Sequence, residues 1–360
     1  MKILVFSSLT FKKHAGPTYS VPNQVKSLKK ISDLLWINIS NFETPINYKD
    51  LVIGYKESEI NEVFKHITND IDFVIFEEFH KPVYLKIFKC LKKRSIKYTI
   101  VPRGQMTREY NKNKPIKKFF GNLLFFNKFK KNACYIQFLT QQEQIDSKDS
   151  KIKDSYVIPN GIDIPNFRKQ ILTKERIVFT FIGRYSIFQK GIDFLFDGLS
   201  KIDVSSDLYE FNFYGPDCPS GNKRDVEMCA EKYGISDKVK INGPIFDLEK
   251  EKVLLNTDVF VLTSRFEGLP MSVLEALSYG IPVLVTKGTN IGEDVEKFDA
   301  GWFASSNDDI SNFLINIIKN KDNINVLEKK SKNAVKMAEH YSWNSIAKNT
   351  IQIINDVLDR

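Results

Sequence analysis

Two glutamates eight residues apart, Glu267 and Glu275, stand in the stretch Arg265-Phe266-Glu267-Gly268-Leu269-Pro270-Met271-Ser272, which continues to Gly280-Ile281-Pro282. The apolar run 258–263 (DVFVLT) reads as a buried strand, Gly268 and Pro270 as a turn, and 272–279 as a helix. Gly280-Ile281-Pro282 stops that helix before the next apolar strand. Glu267 then falls on the loop and Glu275 inside the helix. Eight helical residues span about 12 Å at 1.5 Å each, against roughly 5 Å for the carboxyl pair of a retaining glycosidase, which argues against paired-carboxylate hydrolysis. The two roles must differ. Glu275 can accept hydrogen bonds from two vicinal hydroxyls, such as those of a ribose. The N–H groups of Gly268, Leu269 and Met271, on either side of Pro270, lie where a helix start attracts phosphate or sugar oxygens, and Glu267 is left to meet a sugar. A bare spacing of this kind also fits an ordinary strand-turn-helix with two solvated carboxylates, so the surrounding residues decide.

A second cluster lies 83 residues earlier. Gly183 follows an apolar run and permits close backbone approach, and Arg184 and Lys190 set two cations near a helix start at Gly191. Arg184 can grip two oxygens in a fork while Lys190 acts as a mobile point charge. Together they suit a diphosphate leaving group, whose growing negative charge they would neutralise without a metal. Taken alone, this spacing also describes a loop with solvated cations.

The order of these blocks resembles glycosyltransferase family 4, the retaining enzymes of the glycosyl transferases group 1. Phe266 to Pro270 with Glu275-Ala276 is similar to the family's E-x7-E block, and Phe181-Ile182-Gly183-Arg184 with Lys190-Gly191-Ile192-Asp193 to its phosphate block. Val157-Ile158-Pro159-Asn160-Gly161-Ile162-Asp163 resembles its interdomain signature, and Tyr341-Ser342-Trp343 its closing aromatic motif. The resemblance implies an α/β protein of GT-B fold, two Rossmann-like domains with parallel sheets facing an interdomain cleft. It implies catalytic roles for Arg184, Lys190 and Glu267, and donor contacts at Gly183, Gly215, Pro216, Gly243, Gly268, Leu269, Pro270, Met271 and Glu275. It further implies transfer with retention by front-face attack, the leaving phosphate taking the acceptor proton, with neither cofactor nor metal. Gly288-Thr289-Asn290 is either a plain turn or a sugar or phosphate contact through Asn290.

The first half departs from the family. A Gly-Gly pair in the first loop is replaced by Lys13-His14-Ala15-Gly16-Pro17, leaving Gly16 as the candidate for backbone approach to the diphosphate. Where relatives place a histidine in a H-G turn after the fourth strand, this chain has Arg103-Gly104. His80, His14 and Arg103 are therefore candidates for the acceptor or donor sugar, against the ordinary structural role of a lone histidine.

The elements that position these residues follow from the apolar pattern. Runs at 2–7, 34–39, 71–76, 97–102 and 135–139 alternate with helical patterns, as in a parallel doubly wound sheet, and the alternation restarts with 176–182, 209–214, 238–242, 258–263 and 281–286. The chain's 360 residues thus divide into a domain over 1–158 and another over 162–342. By the resemblance, a terminal helix over about 343–360 returns to the first domain; packing on its own domain is the alternative.

Charge is uneven. Residues 1–160 hold 28 Lys and Arg against 15 Asp and Glu, whereas 161–360 hold 25 against 29. Segments 81–97 and 112–131 interleave lysines with aromatics, which fits an anionic membrane surface at about 1 kcal/mol per basic residue, or two core helices with lysine-rich outer faces. No nucleic-acid module accompanies the charge. Four cysteines without a C-x-x-C pair and four histidines give no zinc pattern, and no 18-residue uncharged apolar run is present. The expectation is a cytoplasmic protein, peripheral on the inner face of the cell membrane. It would move a hexose or hexosamine from a UDP-sugar or GDP-sugar to a glycan or lipid-linked oligosaccharide acceptor, in capsule, O-antigen or exopolysaccharide synthesis. The competing readings are a sugar-nucleotide epimerase of the same architecture and a non-catalytic membrane-surface glycan-binding protein.

Overall fold

The structure is a computed structural model that describes residues 1–10, 16–45, 48–107, 126–147, 152, 154–170 and 175–360. His14, Lys117, Lys118 and most of segment 112–131 lie outside the described residues. The chain divides into two units, Met1–Gly161 with Trp343–Arg360, and Ile162–Ser342.

The first unit is built on a sheet of strands β1 (Lys2–Ser7), β2 (Asp33–Ile39), β3 (Val52–Tyr55), β4 (Phe73–Glu77), β5 (Lys97–Val101), β6 (Tyr135–Phe138) and β7 (Ser155–Val157), ordered β3-β2-β1-β4-β5-β6-β7. Every pairing is parallel. Side chains alternate across a strand, and here both faces are covered, which is why the central strands read as unbroken apolar runs. Leu4, Phe6, Val74 and Phe76 face a core with Tyr84, Phe88 and Phe129. Ile3, Val5, Phe73 and Ile75 face the other core, with Val21, Val25 and Leu28 of helix Gly16–Lys29 and Ala347, Ile354 and Val357 of the last helix, Trp343–Leu358. The terminal helix therefore packs on the first unit, where Lys97 Nζ donates to its Val357 carbonyl at 2.9 Å. Helix Pro82–Lys93 buries Val83, Tyr84, Ile87, Phe88 and Leu91 and turns Lys86, Lys89, Lys92 and Lys93 to solvent. Strands β3 and β7 carry no anticipating apolar run, because each is short and half-exposed at a sheet edge.

The second unit repeats the plan with β8 (Ile177–Ile182), β9 (Tyr209–Tyr214), β10 (Val239–Asn242), β11 (Val259–Leu262), β12 (Val283–Thr286) and β13 (Gly301–Ala304), all parallel and ordered β10-β9-β8-β11-β12-β13. Chain order reverses between β8 and β11, so the loops leaving their carboxyl ends flank a switch point, the usual ligand position in open α/β sheets. A buried ion pair, Lys169 Nζ to Asp258 Oδ1 at 2.6 Å, fixes the start of β11, and Asp258 Oδ2 accepts the Val178 N–H at 2.9 Å.

At the joint, the two signature motifs meet. Ile162 N–H donates to the Tyr341 carbonyl at 2.9 Å, and a Cβ on Gly161 would fall 2.5 Å from the Trp343 ring. Glycine is needed at 161 because the tryptophan occupies the space a side chain would take.

Candidate functional site

The loops after β8 and β11 are bonded into one edge. Gly191 is left-handed at φ 58°, and a Cβ there would lie 2.0 Å from the Thr263 carbonyl oxygen. Thr263 Oγ1 donates to the Gly191 carbonyl at 2.8 Å, and the Arg265 N–H to the Gln189 carbonyl at 2.9 Å. The Arg265 guanidinium holds Asp193 by two bonds of 2.7 and 2.6 Å and lies 3.6 Å over the Phe194 ring. Residues 83 apart in sequence, Arg184 and Glu267, thus belong to adjoining loops.

Lys190 and Glu267 face one another across that edge. Lys190 Nζ lies 2.5 Å from Glu267 Oε1, with side chains 11% and 10% exposed, and Ser264 Oγ donates to the same oxygen at 2.6 Å. Asn290 Nδ2 donates to the Glu267 carbonyl at 2.6 Å, so Asn290 braces the loop that carries the glutamate. The sequence reading assigns Lys190 to a phosphate and Glu267 to a sugar; in the structure each neutralises the other. Gly268, Leu269 and Pro270 lead from Glu267 into helix Met271–Ser278, where Pro270 supplies the first carbonyl to Val273 N–H at 2.9 Å. The first amides of that helix have no acceptor within it.

Beside this edge is a cavity of about 620 Å³. Gly183 and Arg184 after β8, Gly215 and Pro216 after β9, Pro244 to Leu248 after β10, and Glu275 and Tyr279 of the E-x7-E helix line it. The two glycine loops touch backbone to backbone: a Cβ on Gly215 would stand 1.9 Å from the Gly183 carbonyl oxygen. Tyr185, fully buried, pegs the same loops through its hydroxyl, which donates to the Phe213 carbonyl at 3.1 Å and also to that of Asn242. Arg184 is exposed, and its guanidinium makes no hydrogen bond or ion pair among the described residues. Lys190, Glu267, Gly243 and the run 268–271 lie outside the cavity wall. Among the described residues, no group of three or more His, Cys, Asp or Glu could hold a metal ion.

Lys250, Asp247 and Glu251 also line the cavity, and sequence reasoning passes over them. They stand in the helix Asp247–Asn256, whose alternating acids and lysines read as a solvated face. The available signal is the Asn242-Gly243-Pro244 turn, which starts that helix at a strand's carboxyl end.

The candidates in the first unit have different surroundings. Arg103, at φ 50° after β5, is 5% exposed. Its Nε lies 2.7 Å from Glu77 Oε2, and its terminal nitrogens donate to Ser20 Oγ, Gln24 Oε1 and Asn160 Oδ1 at 2.9, 3.1 and 3.3 Å. It ties β4, helix 16–29 and the connector together, and it is not open to a sugar as the expectation requires. His80 is half-buried, its ring 4.6 Å from Phe79 and 5.2 Å from Phe126 between centroids. Gly16 opens helix 16–29. Next to the switch point between β1 and β4, Glu78 adopts φ 74°. Burial pushes its carboxyl above the usual range against the pull of Lys81, whose Nζ stands 3.1 Å away, and Gln105 Nε2 donates to it at 3.2 Å.

Two wholly parallel Rossmann-like units on one chain are the GT-B architecture. The apo form of the lipopolysaccharide outer core galactosyltransferase WaaB matches it with a TM-score of 0.67 at 17% identity, over 98% of this chain and 99% of that one. Anabaena Alr3699/HepE in complex with UDP matches with a TM-score of 0.69 at 15% identity, over 99% and 100%. Residues 163–337, nearly the whole of the second unit, match the family described as glycosyl transferases group 1. The UDP-Gal:alpha-D-GlcNAc-diphosphoundecaprenol alpha-1,3-galactosyltransferase of Escherichia coli is 26% identical over 215 residues, 53% of this chain and 53% of that protein. The lipopolysaccharide 1,6-galactosyltransferase of Salmonella typhimurium is 30% identical over 151 residues, 40% of this chain and 39% of that one. The chain spans about half the length of the curated relatives it matches, or less.

Proposed function

We propose that the protein is a retaining glycosyltransferase that moves a hexose or hexosamine from a UDP-sugar, or a GDP-sugar, to a hydroxyl of a glycan acceptor carried on a lipid, in bacterial surface polysaccharide synthesis. The observation that carries this reading is the cavity at the second switch point, where the unengaged guanidinium of Arg184 and the carboxylate of Glu275 line one space. Glu275 accepts the ribose hydroxyls, and Arg184 takes the diphosphate in a fork. As the glycosidic bond breaks, negative charge grows on the β-phosphate, and Arg184 with Lys190 stabilises it, so the reaction needs no metal. For Lys190 to do this, its ammonium must share itself between Glu267 and phosphate, which leaves Glu267 oriented by Ser264 toward the sugar. The acceptor proton passes to the leaving phosphate. The two curated relatives, a UDP-galactose enzyme on a diphosphoundecaprenol acceptor and a lipopolysaccharide galactosyltransferase, support the donor and acceptor classes.

The basic first unit docks on the inner face of an anionic membrane, where the acceptor resides. Support comes from the charge split and from the exposed lysines of helix 82–93. Among the described residues, no helix is long and apolar enough to cross a membrane.

A thermal-shift panel of UDP-, GDP-, ADP- and dTDP-sugars tests the donor, because a bound ligand raises the melting temperature with occupancy. A UDP- or GDP-sugar is expected to stabilise the protein, and NMR of the product should show the donor's anomeric configuration kept, with EDTA without effect. Inversion, or a strict divalent-metal requirement, would overturn the mechanism.

A further inference from the structure

Lys250 and Glu275 come from different helices, line the same cavity and form an ion pair through Glu275 Oε2. Their side chains are 24% and 33% exposed, so the pair is held by the chain yet reachable by a ligand. Glu275 Oε1 has no partner among the described residues. Two more carboxylates, Asp247 and Glu251, line the cavity. Burial, then the charges of Glu251 and Glu275, hold the hydroxyl of the neighbouring Tyr279 above its usual pKa. Removing Lys250 would leave three carboxylates facing an incoming polyanion and would free Glu275 to turn away from the cavity.

Resting on the nucleotide-diphosphate reading of this cavity, we propose that Lys250 is a positioning residue. It holds the Glu275 carboxylate by one oxygen, so that the other accepts the vicinal hydroxyls of the donor's ribose, and it does not itself bind phosphate. The pair would thus make ribose recognition depend on a lysine that never touches the ribose.

Titration calorimetry of the wild type, Lys250→Met and Lys250→Arg with UDP and with 2′,3′-dideoxyuridine diphosphate separates this from its alternatives. If the wild type prefers GDP, the matched guanosine pair takes their place. Lys250→Met should weaken UDP binding about tenfold, the scale of one charge-assisted hydrogen bond. The loss should nearly vanish with the dideoxy nucleotide, which lacks both hydroxyls, because a cycle over protein and ligand isolates the coupling. Lys250→Arg should restore most of the affinity. Tighter UDP binding by Lys250→Met would make the lysine a competitor of the ribose, and an equal loss on both nucleotides would make it a phosphate ligand; either result overturns the proposal. Should Lys250→Met fail to fold, Lys250→Gln carries the same comparison. A wild type that binds none of UDP, GDP and ADP would instead defeat the nucleotide reading of the cavity, and the proposal with it.

Discussion

Arg184 and Arg103 each stand just past the carboxyl end of a parallel strand, one in each unit, and their surroundings are opposite. Arg184 is exposed and unengaged among the described residues, on a cavity rim. Arg103 is 5% exposed, with bonds to Glu77, Ser20, Gln24 and Asn160. A guanidinium whose donors are already spent on its own chain holds the fold. One whose donors face open space is available to an anion. The comparison extends to the carboxylates: Glu77 is 1% exposed beneath Arg103, whereas Glu275, paired with Lys250, stands on the wall of the cavity. Residue type and position after a strand are thus the same in the two units, and the partners separate structure from site.

The sharpest break of this comparison is Arg103→Ala. It would leave the Glu77 carboxylate buried without its counter-ion, which costs about 3–5 kcal/mol. Urea unfolding should show the midpoint fall accordingly, while the affinity of the folded variant for nucleotide stays at the wild-type level. A stable variant with lost nucleotide binding would move Arg103 from the fold to the site.

Arg184→Ala should do the reverse. An exposed, unengaged side chain contributes little to stability, within about 0.5 kcal/mol, yet its loss should lower turnover by a factor on the order of a hundred. Nucleotide-diphosphate release measured beside thermal melting separates the two effects. Glu275→Ala comes next, weakening free nucleotide and nucleotide-sugar together by about 1.5–3 kcal/mol, the scale of hydrogen bonds to a charged group. Calorimetry with both ligands checks it, and unchanged affinity in a folded variant would remove Glu275 from the ribose.

How much of this is legible in the sequence depends on whether burial or partnership decides. Strands such as Lys2–Ser7 and Ile177–Ile182 announce themselves, since a strand covered on both faces must be apolar throughout. The edge strands Val52–Tyr55, Ser155–Val157 and Gly301–Ala304 do not, because half-exposed backbone pairing leaves no such pattern. Gly191, Gly215 and Gly161 are readable as glycines that something must require, but the Thr263 carbonyl, the Gly183 carbonyl and the Trp343 ring that require them are contacts made by folding. The Lys190–Glu267 and Lys250–Glu275 pairs join residues 77 and 25 apart. No local spacing encodes such a meeting, so Lys190 reads as a phosphate ligand and Lys250 as a solvated helix lysine until the partners are seen.

Glu78 supplies the smallest and subtlest test, because its carboxylate in the first unit is less buried than that of Glu77 and less open than that of Glu275. Its side chain is 14% exposed, its backbone is left-handed at φ 74°, and burial raises its carboxyl above the ordinary range. A raised carboxyl binds its proton more tightly in the folded chain than in the unfolded one. Its favourable contribution is therefore complete below the unfolded value, near 4.3 for glutamate, and is lost as pH rises through the folded value. At neutral pH the ionised group works against the fold. Glu78→Gln keeps the shape and the Gln105 side of the network while removing the charge. It should be at least as stable as the wild type at pH 7, by a gain within about 1 kcal/mol, and the difference should shrink toward pH 4. Urea midpoints at the two pH values measure this directly. A loss of stability at pH 7 would show that the ion pair with Lys81 outweighs burial, and would place Glu78 with Arg103 among the ties that hold the first unit, whereas a gain accompanied by lost transferase activity would place it with Arg184 among the residues that face a ligand.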